Sequence, residues 1–338
     1  MNIKSLLIGS AAALAAVSGA QAADAIVAAE PEPLEYVRVC DAFGTGFFYI
    51  PGTETCLKFG GYIRFQTDFG RDRSGTSDWN SFTRAQFEVD TRTDTELGAL
   101  RGFIGFRGNA DNGSSSSSGV HVDQAFIELC GLRVGKFYSE WDNDLNGETD
   151  ILSTNALFNS IAYTYDTGSF KATLSVDELE GTLTSKDNNV GITAVVGANV
   201  GAFAATIVGS YDTDLEEGAI RAIVFADVGP GTLGLAGVWA SGANAYYAES
   251  EWAVAAEYAI KATDRLTITP AFQYLGNVAP NFVGNLNADW TNNDAWTAGL
   301  TVDYKITDGL TTKITANYYD EDNSDDQVTG FVRLQRTF

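Results

Sequence analysis

The sequence predicts an all-β protein, a transmembrane antiparallel β-barrel of about 16 strands with an inward-folded third extracellular loop. Three observations predict it: segments of about ten residues alternate apolar with polar or small side chains, their connections alternate short with long, and an export signal precedes them.

The export signal covers residues 1–22. Lys4 is its only basic residue, an apolar run follows from Leu6 to Val17, and Ala20-Gln21-Ala22 supplies a small-x-small cleavage pattern before Ala23. Cleavage removes one of 21 basic residues and none of 44 acidic ones, taking the net charge from −23 to −24. So acidic a balance argues against nucleic acid as a partner, since the chain as a whole does not neutralise phosphate. Beyond residue 22 no stretch reaches the roughly 20 apolar residues of a spanning helix. The chain is nevertheless 45% hydrophobic and 12% aromatic, with 35 Gly and one Met. That composition suits strands and tight turns.

Strand prediction starts at Leu57, where Leu57, Phe59, Ile63, Phe65 and Phe69 share one parity while Lys58, Tyr62, Arg64, Gln66 and Asp68 share the other. One face suits lipid and the other water. Near the C-terminus two such strands flank Thr307-Asp308-Gly309, a hairpin turn. The same pattern along the whole chain predicts strands at 57–69, 81–93, 98–109, 120–129, 131–137, 159–167, 169–178 and 189–199. It continues at 201–211, 218–228, 231–240, 250–261, 264–276, 294–306, 309–320 and 327–338. Short connections at Gly168, Val200, Gly229-Pro230 and Ala262-Thr263 alternate with long ones such as the Ser114–Ser118 tract and Asn277–Asn293. Short turns at the periplasmic rim and long loops outside are the habit of an outer-membrane barrel. Aromatics gather toward strand ends, as in the girdles at the two headgroup levels. Phe338 closes an amphipathic last strand. The domain reading is a signal over 1–22, a periplasmic segment over 23–56 and a barrel over 57–338.

Catalysis has little to stand on. His121 is the only histidine, which excludes histidine-based triads and multi-histidine metal sites, and no phosphate-binding glycine loop is present. No cofactor or metal is expected. Cys40 and Cys56, both ahead of the first strand, are expected to pair in an oxidising compartment and leave Cys130 free; two buried thiols are the alternative.

The informative pattern is a separation of charge. Arg64, Arg84, Arg101, Arg107 and Arg133 take the lumen parity of the first five strands, and nine of 13 arginines precede residue 140. The long connection 138–159 then carries Glu140, Asp142, Asp144, Glu148 and Asp150. An acidic loop after a wall of arginines is expected to fold inward, face that wall and form the pore constriction, with a transverse field across it; a solvated lid outside the barrel is the alternative.

Specific segments carry a family resemblance: Tyr36-Val37-Arg38-Val39-Cys40-Asp41, Tyr49-Ile50-Pro51-Gly52-Thr53-Glu54-Thr55-Cys56-Leu57, and Gly131-Leu132-Arg133-Val134-Gly135-Lys136-Phe137. Together with the leader and the Ala23-Asp24 start, they resemble the porin family of rhizobium-type alphaproteobacteria. The resemblance implies a 16-stranded barrel, a homotrimer, an inward third loop and passive transport. A trimer seam is expected near the barrel closure, with small residues Gly61, Gly102 and Gly330.

The expected function is a water-filled outer-membrane channel for small hydrophilic solutes and ions, set in lipid and lipopolysaccharide. Inward rings are too few for a sugar-stacking path, so general diffusion is preferred to a substrate-specific pore. The alternatives are an envelope-anchoring protein and an outer-membrane barrel enzyme. The proline-containing segment from Ala23 to Glu35 reads as extended, with a reach on the order of 40 Å, enough to tether Ala23 to peptidoglycan.

Overall fold

The computed structural model describes residues 37–70, 78–111, 119–154, 156–180, 190–280 and 290–338. The export signal, the segment from Ala23 to Glu35 and the Ser114–Ser118 tract lie outside the described residues.

A two-residue strand, β1 (Phe48–Tyr49), precedes the barrel. The barrel strands are β2 (Cys56–Phe69), β3 (Trp79–Thr95), β4 (Gly98–Asp111), β5 (Val120–Leu129), β6 (Leu132–Tyr138), β7 (Leu157–Asp166), β8 (Phe170–Glu178) and β9 (Val190–Val200). They continue with β10 (Phe203–Asp212), β11 (Glu217–Val228), β12 (Gly231–Ala240), β13 (Ser250–Lys261), β14 (Leu266–Val278), β15 (Ala295–Thr307), β16 (Leu310–Glu321) and β17 (Gln327–Thr337). Each pairs antiparallel with its sequence neighbour. The circle closes where β17 pairs with β2, from Phe69↔Gly330 to Thr337↔Tyr62. Closure leaves no strand edge, the condition for a sheet that crosses a bilayer.

The alternation read from the sequence survives as an inside-out exposure pattern. Ile192 is 44% exposed and Val196 49%, whereas Thr193 between them is 3%. In a water-soluble sheet the order would be reversed, because apolar area gains about 25 cal/mol per Å² on leaving water. Here the outward apolar face is matched to lipid. Near the rim with the long connections, ring pairs Trp252–Tyr274 and Trp296–Tyr318 have centroids 5.5 and 5.3 Å apart. The Tyr274↔Trp296 register joins them into one row across four strands.

Two irregularities matter for the interior. At β4–β5 the register shifts between Gly105 and Phe106, whose partners are Gln124 and Val122, so Asp123 is the extra residue of a β-bulge. The bulge turns its carboxylate inward, where it is 2% exposed. At β13–β14 the pairing lapses between Glu257↔Ala271 and Ile260↔Ile268, across Pro270, which has no N–H to give the ladder.

Gly61 and Gly330 are required by the sheet itself. A Cβ on Gly330 would stand 2.1 Å from the Thr315 carbonyl oxygen, and one on Gly61 2.1 Å from that of Gln86, with Gly61 at φ +143°. A role in subunit contact is not needed to explain them.

Cys40 and Cys56 form a disulfide with Cα atoms 6.0 Å apart, and Cys130 is a free, exposed thiol. Buried Phe47 packs against the bridge. The Lys58 ammonium and Arg92 guanidinium lie over its ring at 5.7 and 5.1 Å. Closing a loop of this length stabilises by roughly 3 kcal/mol in the chain-entropy model. We expect C40S/C56S to expose the Val39–Thr55 segment to proteinase K while heat-modifiable mobility on a gel shows the barrel intact. Mass spectrometry of the wild type should show both thiols alkylated only after reduction.

Candidate channel interior

The inward face is two different surfaces. On β2–β6 and β16–β17 it is polar and charged, as the parity predicts. On β10–β13 it is small and apolar instead: Val208, Ala219, Ile223, Ala236, Val238, Ala253 and Ala255 are all buried. The expectation of polar inward residues fails there because the interior is packed with protein on that side. Trp141, Leu145 and Leu152 of the 138–159 connection, with Tyr246 and Tyr247 of the β12–β13 connection, form one apolar cluster with these side chains. Small inward residues leave room for the rings.

Two buried charges on the wall grip the connection, Arg221 near its two ends and Glu257 at its middle. Arg221 of β11, 2% exposed, donates to the carbonyl oxygens of Leu152 at 2.6 Å, Glu140 at 2.7 Å and Trp141 at 3.1 Å. Glu257 of β13, 3% exposed, accepts from the backbone N–H of Gly147 at 2.6 Å and from both the N–H and side-chain amide of Asn146 at 2.7 Å. Charge-assisted bonds to desolvated backbone are among the stronger contacts a protein makes. Further bonds run from Ile151 N–H to Gln273, Glu148 N–H to Thr301, and Trp141 Nε1 to Ser210. Neither Arg221 nor Glu257 stands out in the sequence. Inward parity beside small residues is the signal they carry.

The predicted acids have separate fates. Glu148 meets Lys313 of β16 at 2.8 Å and Arg333 of β17 at 3.5 Å. Glu140 pairs with Lys171 of β8 at 2.9 Å. Asp142 is half-buried, and that burial raises its pKa, with Arg107 opposing. Asp150 is buried, with no ordinary donor to its carboxylate among the described residues. Burial, with the Asp150 carboxyl as neighbour, pushes Asp144 up to about 9.

The predicted arginines divide as well. Arg101 pairs with Asp90 at 3.0 Å and Glu128 at 3.7 Å, and Arg133 with Glu128 at 2.8 Å. Arg107 meets the bulged Asp123 at 3.0 Å and the Tyr138 hydroxyl at 2.8 Å. Among the described residues, Arg64 and Arg84 have amide oxygens as side-chain acceptors, Gln335 at 2.8 Å and Asn109 at 2.9 Å. The loop carboxylate nearest the arginine wall is thus Glu148, through Arg333, a residue absent from the predicted set. Barrel closure sets Arg333 beside β2, where its Nε donates to Gln66 at 2.6 Å.

A closed 16-stranded barrel with an internal packed connection and a charged free wall is the geometry of a water-filled channel. The model of the Porin subfamily matches residues 24–335. The chain belongs to this family. Outer membrane protein IIIA of Rhizobium leguminosarum bv. viciae is 49% identical over 98% of this chain and 93% of its own length. Porin Omp2b of Brucella neotomae is 37% identical over 86% of this chain and 79% of its own. Among solved structures, the trimer form of OmpT of Vibrio cholerae superposes with a TM-score of 0.62 at 13% identity, covering 85% of this chain and 100% of that one. This likeness concerns the fold. The porin is an outer-membrane β-barrel that forms a channel for passive diffusion of small hydrophilic solutes and ions.

The raised pKa of Asp144 predicts a pH dependence. An aspartate freed to solvent titrates near 3.8, whereas Asp144 in the packed connection holds its proton to about 9. The packed state therefore binds more protons than the released one between those values, and its advantage is fullest below pH ~4 and falls as pH rises through ~9. Single-channel currents of the porin should become larger and noisier at pH 10 than at pH 7, and D144N should remove most of that difference.

Proposed function

We propose that the 138–159 connection is the constriction of this porin, and that its acids and the facing basic wall set pore size and ion preference in general diffusion. The observation that carries the proposal is Glu148 standing 2.8 Å from Lys313 and 3.5 Å from Arg333, with Arg64 and Arg84 on the adjoining strands. Opposed charges across a narrow aqueous path orient dipolar solutes and bias ion flow. The apolar cluster behind the connection supports it by closing one side of the interior, so that solutes are confined to the charged side. The short-turn rim faces the periplasm in this reading, and the working unit is a trimer, as in the trimer form of OmpT.

Replacing Asp142 and Glu148 by Asn and Gln should move the reversal potential toward anions in a salt gradient. Adding D144N should change selectivity little at pH 7, because that carboxyl is already protonated. Unchanged selectivity and conductance in D142N/E148Q would place the connection outside the ion path.

The wall carries no hydrolytic group in this reading. His121 is exposed on β5, paired in register with Arg107, and H121A should leave transport intact. The N-terminal segment adds a second role, a covalent tether to peptidoglycan through Ala23. Muramidase digestion of purified envelopes should release an N-terminal peptide bearing a muropeptide, and finding only the free Ala23 amine would exclude the tether.

A further inference from the structure

We propose that Arg64 and Arg84, assisted by Arg333, form a binding site for oxyanions, the phosphate or carboxylate groups of solutes in transit. The argument begins with register. Arg64 and Arg84 are direct partners across β2 and β3, and Arg333 pairs with Gln66, one inward step along β2 from Arg64. Like charges directly opposite each other in a sheet repel, so such an arrangement calls for compensation.

Elsewhere on this wall compensation is supplied by the protein. Arg92 and Arg101 share Asp90, Arg133 has Glu128 and Arg107 has Asp123. At Arg64 and Arg84 no carboxylate lies within ion-pair distance among the described residues. Each is held through Nε by a neutral amide oxygen, of Gln335 and Asn109 respectively. Arg333 is held the same way by Gln66. Gln66 turns its amide nitrogen to Asp68 at 2.6 Å, so a glutamine stands between an arginine and the nearest wall acid.

In these bonds each arginine uses Nε, and both side chains lie on the inward parity and are half-exposed. Aromatic rings fix the guanidinium planes: Arg64 lies 4.9 Å over Tyr62 and Arg84 5.4 Å over Phe82. A planar fork, pre-oriented and half-exposed, is the geometry that takes a carboxylate or phosphate in two parallel hydrogen bonds. Two forks side by side favour a polyanion over chloride. Glu148, already shared by Lys313 and Arg333, limits the dwell time by offering Arg333 a competing partner.

The site rests on the channel reading, and on the constriction reading only in that Glu148 faces it. The test is single-channel recording of the mature porin in planar bilayers, with tripolyphosphate and, separately, citrate added on one side. Interruptions of the current should rise in frequency with either probe, and the dissociation constant should weaken at least tenfold in R64Q/R84Q. The control R92Q, an arginine neutralised by Asp90, should leave the block unchanged. R64K/R84K keeps the charge and loses the fork; it should keep the wild-type reversal potential in chloride but weaken the block severalfold. Block by tripolyphosphate alone would narrow the class to phosphates, and by citrate alone to carboxylates. Equal block in R64Q/R84Q and wild type, or equal weakening in R92Q, would overturn the site. E148Q separates the two readings: a failed constriction leaves its selectivity unchanged while polyanion block persists, whereas a failed site leaves the selectivity shift without the block.

Discussion

In a bilayer every backbone N–H and C=O must find its partner within the protein, and this constraint governs the rest of the molecule. The β17–β2 pairing answers it by leaving no open strand between first and last. Once the sheet is closed, each side chain has only two destinations, lipid or interior, and the sheet's period of two assigns them alternately. Closure also brings together residues far apart in the chain. Arg333 and Gln66 are hydrogen-bonded across 267 positions, and the wall beside Glu148 is built from both ends of the sequence.

The interior that closure creates is divided. On β10–β13 inward alanines and valines receive Trp141, Leu152, Tyr246 and Tyr247, and apolar burial holds the connection against the wall. The Arg221 and Glu257 contacts then fix its height, one charge gripping carbonyls and the other gripping amides. Such buried charges would be costly unpaired; here the terminal nitrogens of Arg221 meet three carbonyls and Glu257 accepts from two backbone N–H groups. The arginines of the remaining side stay partly exposed, where water can solvate them. An uneven filling of the barrel therefore leaves the charged side of the wall uncovered by the packed connection.

Strand positions were legible because lipid enforces the alternation strictly: the spans 120–129, 231–240 and 250–261 coincide with β5, β12 and β13. Arg64, Arg84, Arg101, Arg107 and Arg133 were assignable to the inward face by parity alone. Their partners were not. Asp123 belongs beside Arg107 because a bulge adds one residue, and periodicity cannot register an insertion of one. The inward apolar face of β10–β13 was misread as polar because parity shows which way a side chain points and not what it meets.

By itself the sequence determined the class of the molecule: an acidic, exported, strand-rich chain with dyad repeats, sorted connections, a disulfide-forming pair of cysteines and no histidine chemistry. Those properties are local or compositional, and local order suffices when the surroundings are as uniform as a lipid core. Tertiary structure alone decided which arginines are neutralised, which acid of the connection meets the basic wall, and which carboxyl keeps its proton. These depend on distances between strands remote in sequence and on burial by a loop, and electrostatic energies change steeply with both.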